Sequence, residues 1–271
     1  MPEVETIAHK LRSGHGTIPL PGQRILRFTT SWPRHVDRPS LSTFRRRIKN
    51  RTFQAVERRG KFLVFPLDEG TLLVHLRMSG DLYLRPPGAE ADDYVHSVFN
   101  LDNGWELRFS DARKFGRIYW VRDPQDVLGN LGPEPLQDNF TLELFKQKLL
   151  ARKRQLKPLL LDQSFLAGMG NIYVDEALHR ARIHPLRQSN TLSSSEVASL
   201  WESIRTSLLE GIRHNGASID WVYRGGDYQN HFLVYKQDGN PCEACGTPIQ
   251  RIVVGQRGTY YCPDCQRENN L

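Results

Sequence analysis

The four cysteines limit the fold more than any other feature of the chain. They occur as "CEAC" (Cys242, Cys245) and "CPDC" (Cys262, Cys265), with sixteen residues between the two pairs. Each C-x-x-C turn aims two thiolates at one point, and a hairpin between the turns brings them together as a zinc ribbon. The other possibility, a pair of disulfides, suits an oxidising compartment rather than an intracellular chain. Four thiolates complete a tetrahedron. The expected cofactor is therefore one structural Zn2+ with no open position for activating water.

Upstream of residue 242 no cysteine is present, so the rest of the 271 residues must be held by ordinary cores. That length accommodates two domains. Residues 3–13 place Val4, Ile7, Ala8 and Leu11 on one helical stripe. From about 22 to 121 short β-rich runs alternate with turn signals, among them "RILRFTTSW", "KFLVFPL", "TLLVHLRMSGDLYL" and "RIYWV". The clearest hairpin is "NLDNGWEL", turning at Asn103-Gly104. Such spacing predicts a sandwich or barrel, interrupted by one short helix around 40–49. The Pro/Gly-rich stretch "DPQDVLGNLGPEPLQDN" reads as a domain boundary. Helical texture follows and ends with "SSEVASLWESIRTSLLEGIRHNG", where Ser194 or Ser195 is the expected N-cap and Gly216 the expected C-cap.

Lys and Arg outnumber Asp and Glu by 37 to 30, a net charge of +7. A basic balance favours a polyanionic partner, nucleic acid first and an anionic membrane surface second. No apolar run is long enough to span a bilayer, and no signal peptide is recognisable, so a soluble cytoplasmic protein is expected. Two domains meeting at a hinge would form a cleft, and a cleft lined with Lys and Arg suits a duplex better than a small metabolite.

Several stretches could carry chemistry. Gly168-Met169-Gly170-Asn171 precedes a helix whose first N–H groups could seat a phosphate, although a tight helix–helix turn explains the glycines equally well. The basic run Arg152, Lys153, Arg154 and the nearby Lys157 add charge there, though such a run is usually a solvated helix face. Arg113 and Phe115 lie two apart in "DARKFGR", and Met78 precedes Gly80 in "HLRMSG". On loop tips, these three could enter a duplex and fill the space left by an extruded base; singly, each is more often packing, and burial habit favours the core for Met78. Lys61 opens a strand after Gly60. Removal of Met1 would leave Pro2 as a secondary amine with a pKa well below that of lysine. Such an amine could attack a sugar C1′, expel the base and leave an iminium, with Glu3 moving protons. Pro2 and Glu3 are also a favourable helix start, and by themselves they read as one.

Taken together, the motifs resemble the bacterial formamidopyrimidine-DNA glycosylases of the Fpg/Nei family. The matching stretches are "PEVET", "RRGKFL", "HLRMSG", "SDARKFGR", "LGPEPL", "LKPLLLDQSFLAGMGNIYVDEALHRARIHP" and "PCEACGTPI…GQRGTYYCPDCQ". The resemblance implies an α+β fold. An N-terminal helix and β-sandwich would occupy 1–125, a helix-two-turn-helix domain with a lesion-covering loop (around 217–230) 126–230, and the zinc finger 231–271. It implies a monomer acting on double-stranded DNA that carries oxidised bases or abasic sites. The activity would be excision of 8-oxoguanine and formamidopyrimidines followed by β/δ-elimination. By position, Pro2 would be the Schiff-base nucleophile, Glu3 the proton donor, and Lys61 and Arg257 participants in elimination. His75, Met78, His96, Arg113, Phe115, Arg152, Lys157 and Asn171 would contact DNA.

Three departures from the family pattern stand out. "MPEVET" replaces the usual "MPELPEVET", so Pro2-Glu3 corresponds either to the catalytic pair with its spacer lost or to the family's second Pro-Glu. The second alignment would make the chain a DNA- or lesion-binding paralogue with little catalysis. "HLRMSG" has Arg77 where glycine is common, and "VYKQDGNPC" has Lys236-Gln237 where Gly-Arg is usual. A ribosome- or RNA-associated ribbon protein would explain the cysteines and the charge, but it leaves the loop residues without a role.

Overall fold

The apolar stripe of the N-terminal segment forms helix α1 (Pro2–Ser13), and Val4, Ile7, Ala8 and Leu11 are all buried. Acidic Glu3 and Glu5 in its first turn and basic Lys10 and Arg12 in its last complement the helix dipole. The computed structural model describes residues 1–90, 92–218 and 225–267. It divides into a β-rich unit, Glu3–Gly129 with Ala217–Gly226, and a helical unit, Met1–Pro2 with Asn130–Gly216 and Asp227–Leu271.

In the β-rich unit α1 is followed by β1 (Ile25–Thr30), β2 (Val36–Arg38), α2 (Leu41–Ile48), β3 (Glu57–Arg59), β4 (Phe62–Pro66), β5 (Thr71–His75), β6 (Gly80–Arg85), β7 (Val95–Leu101), β8 (Glu106–Asp111), β9 (Arg117–Val121) and the single turn α3 (Gln125–Leu128). Two sheets result, one ordered β1-β7-β8-β6 and the other β2-β9-β5-β4-β3. All pairings are antiparallel except β2 with β9. The alternating burial of β6 and β7 turns Leu82, Leu84, Phe99 and Leu101 into one core with Phe28, Phe44, Leu63, Phe65 and the stripe of α1. The expected sandwich, its interrupting helix and the Asn103-Gly104 turn are all present. Gly104 has φ +84°, and the Asn103 carboxamide accepts the Trp105 N–H at 3.0 Å.

The helical unit contains α4 (Leu142–Leu150), α5 (Leu156–Leu161), α6 (Asn171–Arg180) and α7 (Ser194–Arg213), then the hairpin β10 (Gln250–Val254) and β11 (Arg257–Tyr261). The N-cap of α7 is Ser193, one residue before the nearer of the two expected positions, Ser194 and Ser195. Ser193 Oγ accepts the Glu196 N–H, and the Glu196 carboxylate, at the third helical position, accepts the Ser193 N–H, completing a capping box. At the other end His214 is the C-cap rather than Gly216. Asn215 takes the left-handed conformation, and the N–H groups of Asn215 and Gly216 close onto Ile212 O and Gly211 O. That is a Schellman arrangement with asparagine in the position glycine usually holds. Among the described residues no helix is long and apolar enough to cross a membrane.

Both departures from glycine fall on left-handed backbone, Arg77 at φ +59° and Lys236 at φ +57°. An L side chain there costs about 1–2 kcal/mol, offset partly by glycine's greater chain entropy. Arg77→Gly and Lys236→Gly should each therefore raise stability by about 1 kcal/mol in denaturant unfolding. A lowered midpoint for either would show that its side-chain contacts outweigh the backbone strain.

Candidate DNA-repair site and zinc ribbon

In the β-rich unit two adjoining loops present the residues expected to probe a duplex. Met78 is 63% exposed and Phe115 46%, among the few large apolar side chains left in solvent. The Arg113 guanidinium lies over the Phe115 ring at 5.0 Å. A buried network beneath them joins the two loops. Asp111, at the end of β8, accepts the Ser79 hydroxyl from one loop and the Gly116 N–H from the other (2.6 Å). Ser79 Oγ in turn accepts the Arg113 N–H at 3.1 Å. His35 Nε2 is 3.6 Å from Asp111, and His35 Nδ1 meets Ser97 Oγ at 2.9 Å. Burial pushes the Asp111 carboxyl up, but His35, Ser79 and the Gly116 amide outweigh it and hold the pKa at about 2. Gly116 must lack a side chain, because a Cβ there would lie 2.2 Å from Phe109 Cζ.

Lys61 is half-buried, in the two-residue turn Gly60-Lys61 that leads from β3 directly into β4. The next residue, Phe62, pairs across the ladder with His75. His75 Nδ1 accepts the Arg77 N–H at 3.0 Å, which requires a deprotonated nitrogen. Burial first, then Arg77 and Lys61, lowers its pKa to about 3. The folded state thus binds this proton less readily than the unfolded chain. The loop support from His75 is complete above about pH 6.5 and declines as pH falls toward 3. His96 is half-buried, its Nδ1 is 3.2 Å from Ser31 Oγ, and burial and then Lys114 lower its pKa.

Pro2 opens α1 and is buried in the helical unit, where a Cβ on Gly211 of α7 would lie 2.8 Å from Pro2 Cγ and 2.5 Å from Tyr173. Gly211 is thus a steric requirement that the sequence did not signal. Glu3, half-buried, accepts the Ala217 N–H at 3.1 Å. Residues 219–224 of the expected lesion-covering loop lie outside the described residues.

In the helical unit Asn171 is the first residue of α6, after Gly168 (φ +96°) and the N-cap Gly170, which supplies no side-chain cap. Asn171 Nδ2 donates to Gly258 O at 2.9 Å, and its Oδ1 is buried. Lys157 is fully buried rather than presented on a solvated face. Its ammonium donates to Asp175 (2.6 Å) and to Gly258 O (2.9 Å). Asp175 also accepts the Tyr260 N–H, and burial raises its pKa to about 7 against the pull of Lys157. α5 and α6 thereby grip the β10–β11 hairpin beside exposed Arg257, so Lys157 shapes this site through the hairpin. Arg152 lies over Phe165 at 5.2 Å and donates to Lys148 O.

The cysteine donors fit zinc. A tetrahedron with bonds of about 2.3 Å has edges of about 3.8 Å. Cys242 and Cys265 Sγ are 3.9 Å apart, and Cys245 and Cys262 Sγ 3.5 Å. These separations also exclude disulfides. Gln266 ties the ribbon to the helices, accepting the Cys262 N–H and donating to Ile183 O, each at 2.9 Å.

Family models match along the chain: a formamidopyrimidine-DNA glycosylase N-terminal domain over 1–118, its H2TH domain over 131–222, and a zinc finger found in FPG and IleRS over 239–267. Formamidopyrimidine-DNA glycosylases of Herpetosiphon aurantiacus and Pelotomaculum thermopropionicum are 46% and 44% identical, each aligned over 98% of both chains. Among solved structures, Lactococcus lactis Fpg with abasic-site DNA superposes with a TM-score of 0.91 at 35% identity, over 99% of each chain. The same protein with FAPY-dG-containing DNA gives 0.90 at 35% identity, over 98% of this chain and 99% of that one.

Proposed function

Because the chain belongs to the formamidopyrimidine-DNA glycosylase family, we propose that it excises oxidised purines from duplex DNA and then cleaves the abasic strand. The observation that carries this reading is the exposed trio Met78, Arg113 and Phe115, braced from beneath by Asp111. Apolar side chains held out in water by a buried charged network suit insertion into a base stack, where they would occupy the place of a flipped nucleotide. Full-length identity to curated glycosylases does not favour a binding-only paralogue.

The chemistry would begin at Pro2. With Met1 attached, its nitrogen is an amide and cannot attack; removal of Met1 yields the secondary amine. That amine would add to C1′ as the bond to the base breaks; loss of its N–H proton and opening of the sugar at the C1′–O4′ bond, with Glu3 delivering a proton to O4′, would leave the iminium. The iminium acidifies C2′, and Lys61 and Arg257 would assist the eliminations. The uncapped start of α6 with Asn171, and the hairpin held by Lys157, would receive phosphates, with Arg152, His75 and His96 as further contacts. Zinc would be held by Cys242, Cys245, Cys262 and Cys265 and would supply structure. The protein would act as a monomer on the bacterial nucleoid.

Incubation with duplex carrying 8-oxoguanine opposite cytosine tests this reading. We expect incision at the lesion and not in undamaged duplex, with binding that weakens steeply between low and moderate salt as phosphate contacts require. Intact substrate after prolonged incubation with enzyme lacking Met1 would refute it.

A further inference from the structure

Beyond the ribbon, the described residues hold a second group of side chains with metal-ligand chemistry. His214 caps the C-terminus of α7, Asp227 precedes the short 3-10 turn Tyr228–His231 and His231 closes it; donor atoms of all three lie within 4.8 Å of one another. We propose that His214, Asp227 and His231 bind a divalent transition metal ion, completed by water, at a site separate from the cysteine tetrad.

Each ligand is already oriented. Asp227 Oδ2 is 3.3 Å from His231 Nε2 and 3.8 Å from His214 Nδ1, so one carboxylate oxygen faces both imidazoles. Asp227 Oδ1 is occupied by the Asn230 carboxamide, which donates to it at 2.5 Å. The other nitrogen of His214 is turned toward Glu210, 4.0 Å away, and the second Glu210 oxygen is held by Arg213. A carboxylate behind the distal nitrogen is the usual means of fixing the tautomer of a metal-bound imidazole. The two rings lie with centroids 3.8 Å apart, closer than two cationic imidazoles would favour without a shared anion. Tetrahedral zinc with Zn–N and Zn–O bonds near 2 Å needs donor separations of about 3.4 Å, so modest side-chain rotation closes the site. The backbone needs no change, since Asp227 N–H and Tyr228 N–H already bond His214 O and Gly216 O at 2.8 and 3.0 Å.

Two imidazoles and one carboxylate suit Zn2+, Co2+ or Ni2+ rather than Ca2+ or Mg2+, which prefer all-oxygen shells. The ion would cross-link the end of α7 to the turn that follows residues 217–226. Metal at about a hundred times its dissociation constant would lower the unfolding equilibrium constant roughly a hundred-fold.

The test is titration of protein already carrying one zinc per chain with Co2+, followed by calorimetry and visible absorption. One further equivalent should bind, with d–d bands but without the charge-transfer absorption that thiolate ligands give. His231→Ala and Asp227→Asn, both at exposed positions, should each weaken binding by at least about ten-fold, and Asn230→Ala by a comparable factor. The ribbon zinc should be retained in all three. No second equivalent in the parent protein would overturn the proposal. So would a second equivalent unaffected by these substitutions, which would leave the cluster as a proton-bridged helix cap.

Discussion

Replacing Cys262 with serine is expected to unfold the ribbon and abolish measurable affinity for lesion-containing duplex. The apolar core around the tetrad contains little besides Val234, Ile249 and the buried Cys242 and Cys262 themselves. So small a core cannot order the segment. Metal binding to structural Cys sites contributes about 10–16 kcal/mol in isolated zinc-finger peptides at neutral pH. Most of the ribbon's stability therefore resides in the ion. The β10–β11 hairpin is also where Gly258 O receives Lys157 and Asn171. Its loss would release Arg257 and leave the buried Lys157–Asp175 pair without its lid. Metal analysis should fall from one zinc per chain to none, and hairpin amides should lose hydrogen-exchange protection. Retained protection after complete metal removal would contradict this assignment.

Asp111→Asn should cost about 3 kcal/mol of stability, the usual penalty for breaking a buried charge network. It should also depress incision beyond what unfolding explains. The carboxylate receives donors from both probe loops, whereas a carboxamide must turn its NH2 toward one of them. Ser79 or Gly116 is then left unsatisfied, and Met78 and Phe115 lose their common anchor. Asp111 has its pKa held below the ordinary carboxylate value, so its contribution is complete above about pH 4 and is lost as pH falls through about 2. The variant should lack this acid limb in urea titrations across that range. An unchanged limb, or incision that declines only in proportion to folded protein, would show that the network does not position the loops.

Features written in local pattern were legible in the sequence. The α1 stripe, the Asn103-Gly104 hairpin and the two C-x-x-C turns each depend on neighbours a few residues apart. Met78, Arg113 and Phe115 stood out as possible loop-tip probes and the resemblance gave them a role; the structure exposes Met78 and Phe115, where burial habit alone would have put Met78 in the core. Long-range contacts were not legible. Asp111 carries no local signal of its role, because its partner Ser79 lies 32 positions away. Lys157 reads as part of a basic helix face, but the approach of Asp175 and Gly258 buries it. Gly211 carries no local signal, because its need for a missing side chain comes from the distant Pro2 and from Tyr173 packed against it. The cap of α7 was missed by one residue because adjacent serines are chemically equivalent until Glu196 selects one.

The proposed reaction rests on the Pro2 nitrogen, and borohydride trapping addresses it most directly. Enzyme with Met1 removed is mixed with duplex containing 8-oxoguanine opposite cytosine, borohydride is added, and the peptide joined to DNA is sequenced by mass spectrometry. The expected result is a stoichiometric covalent adduct on Pro2, absent in Pro2→Gly and in protein that retains Met1. Incision of the lesion strand with no trapped species, or an adduct on a lysine that persists in Pro2→Gly, would contradict the account.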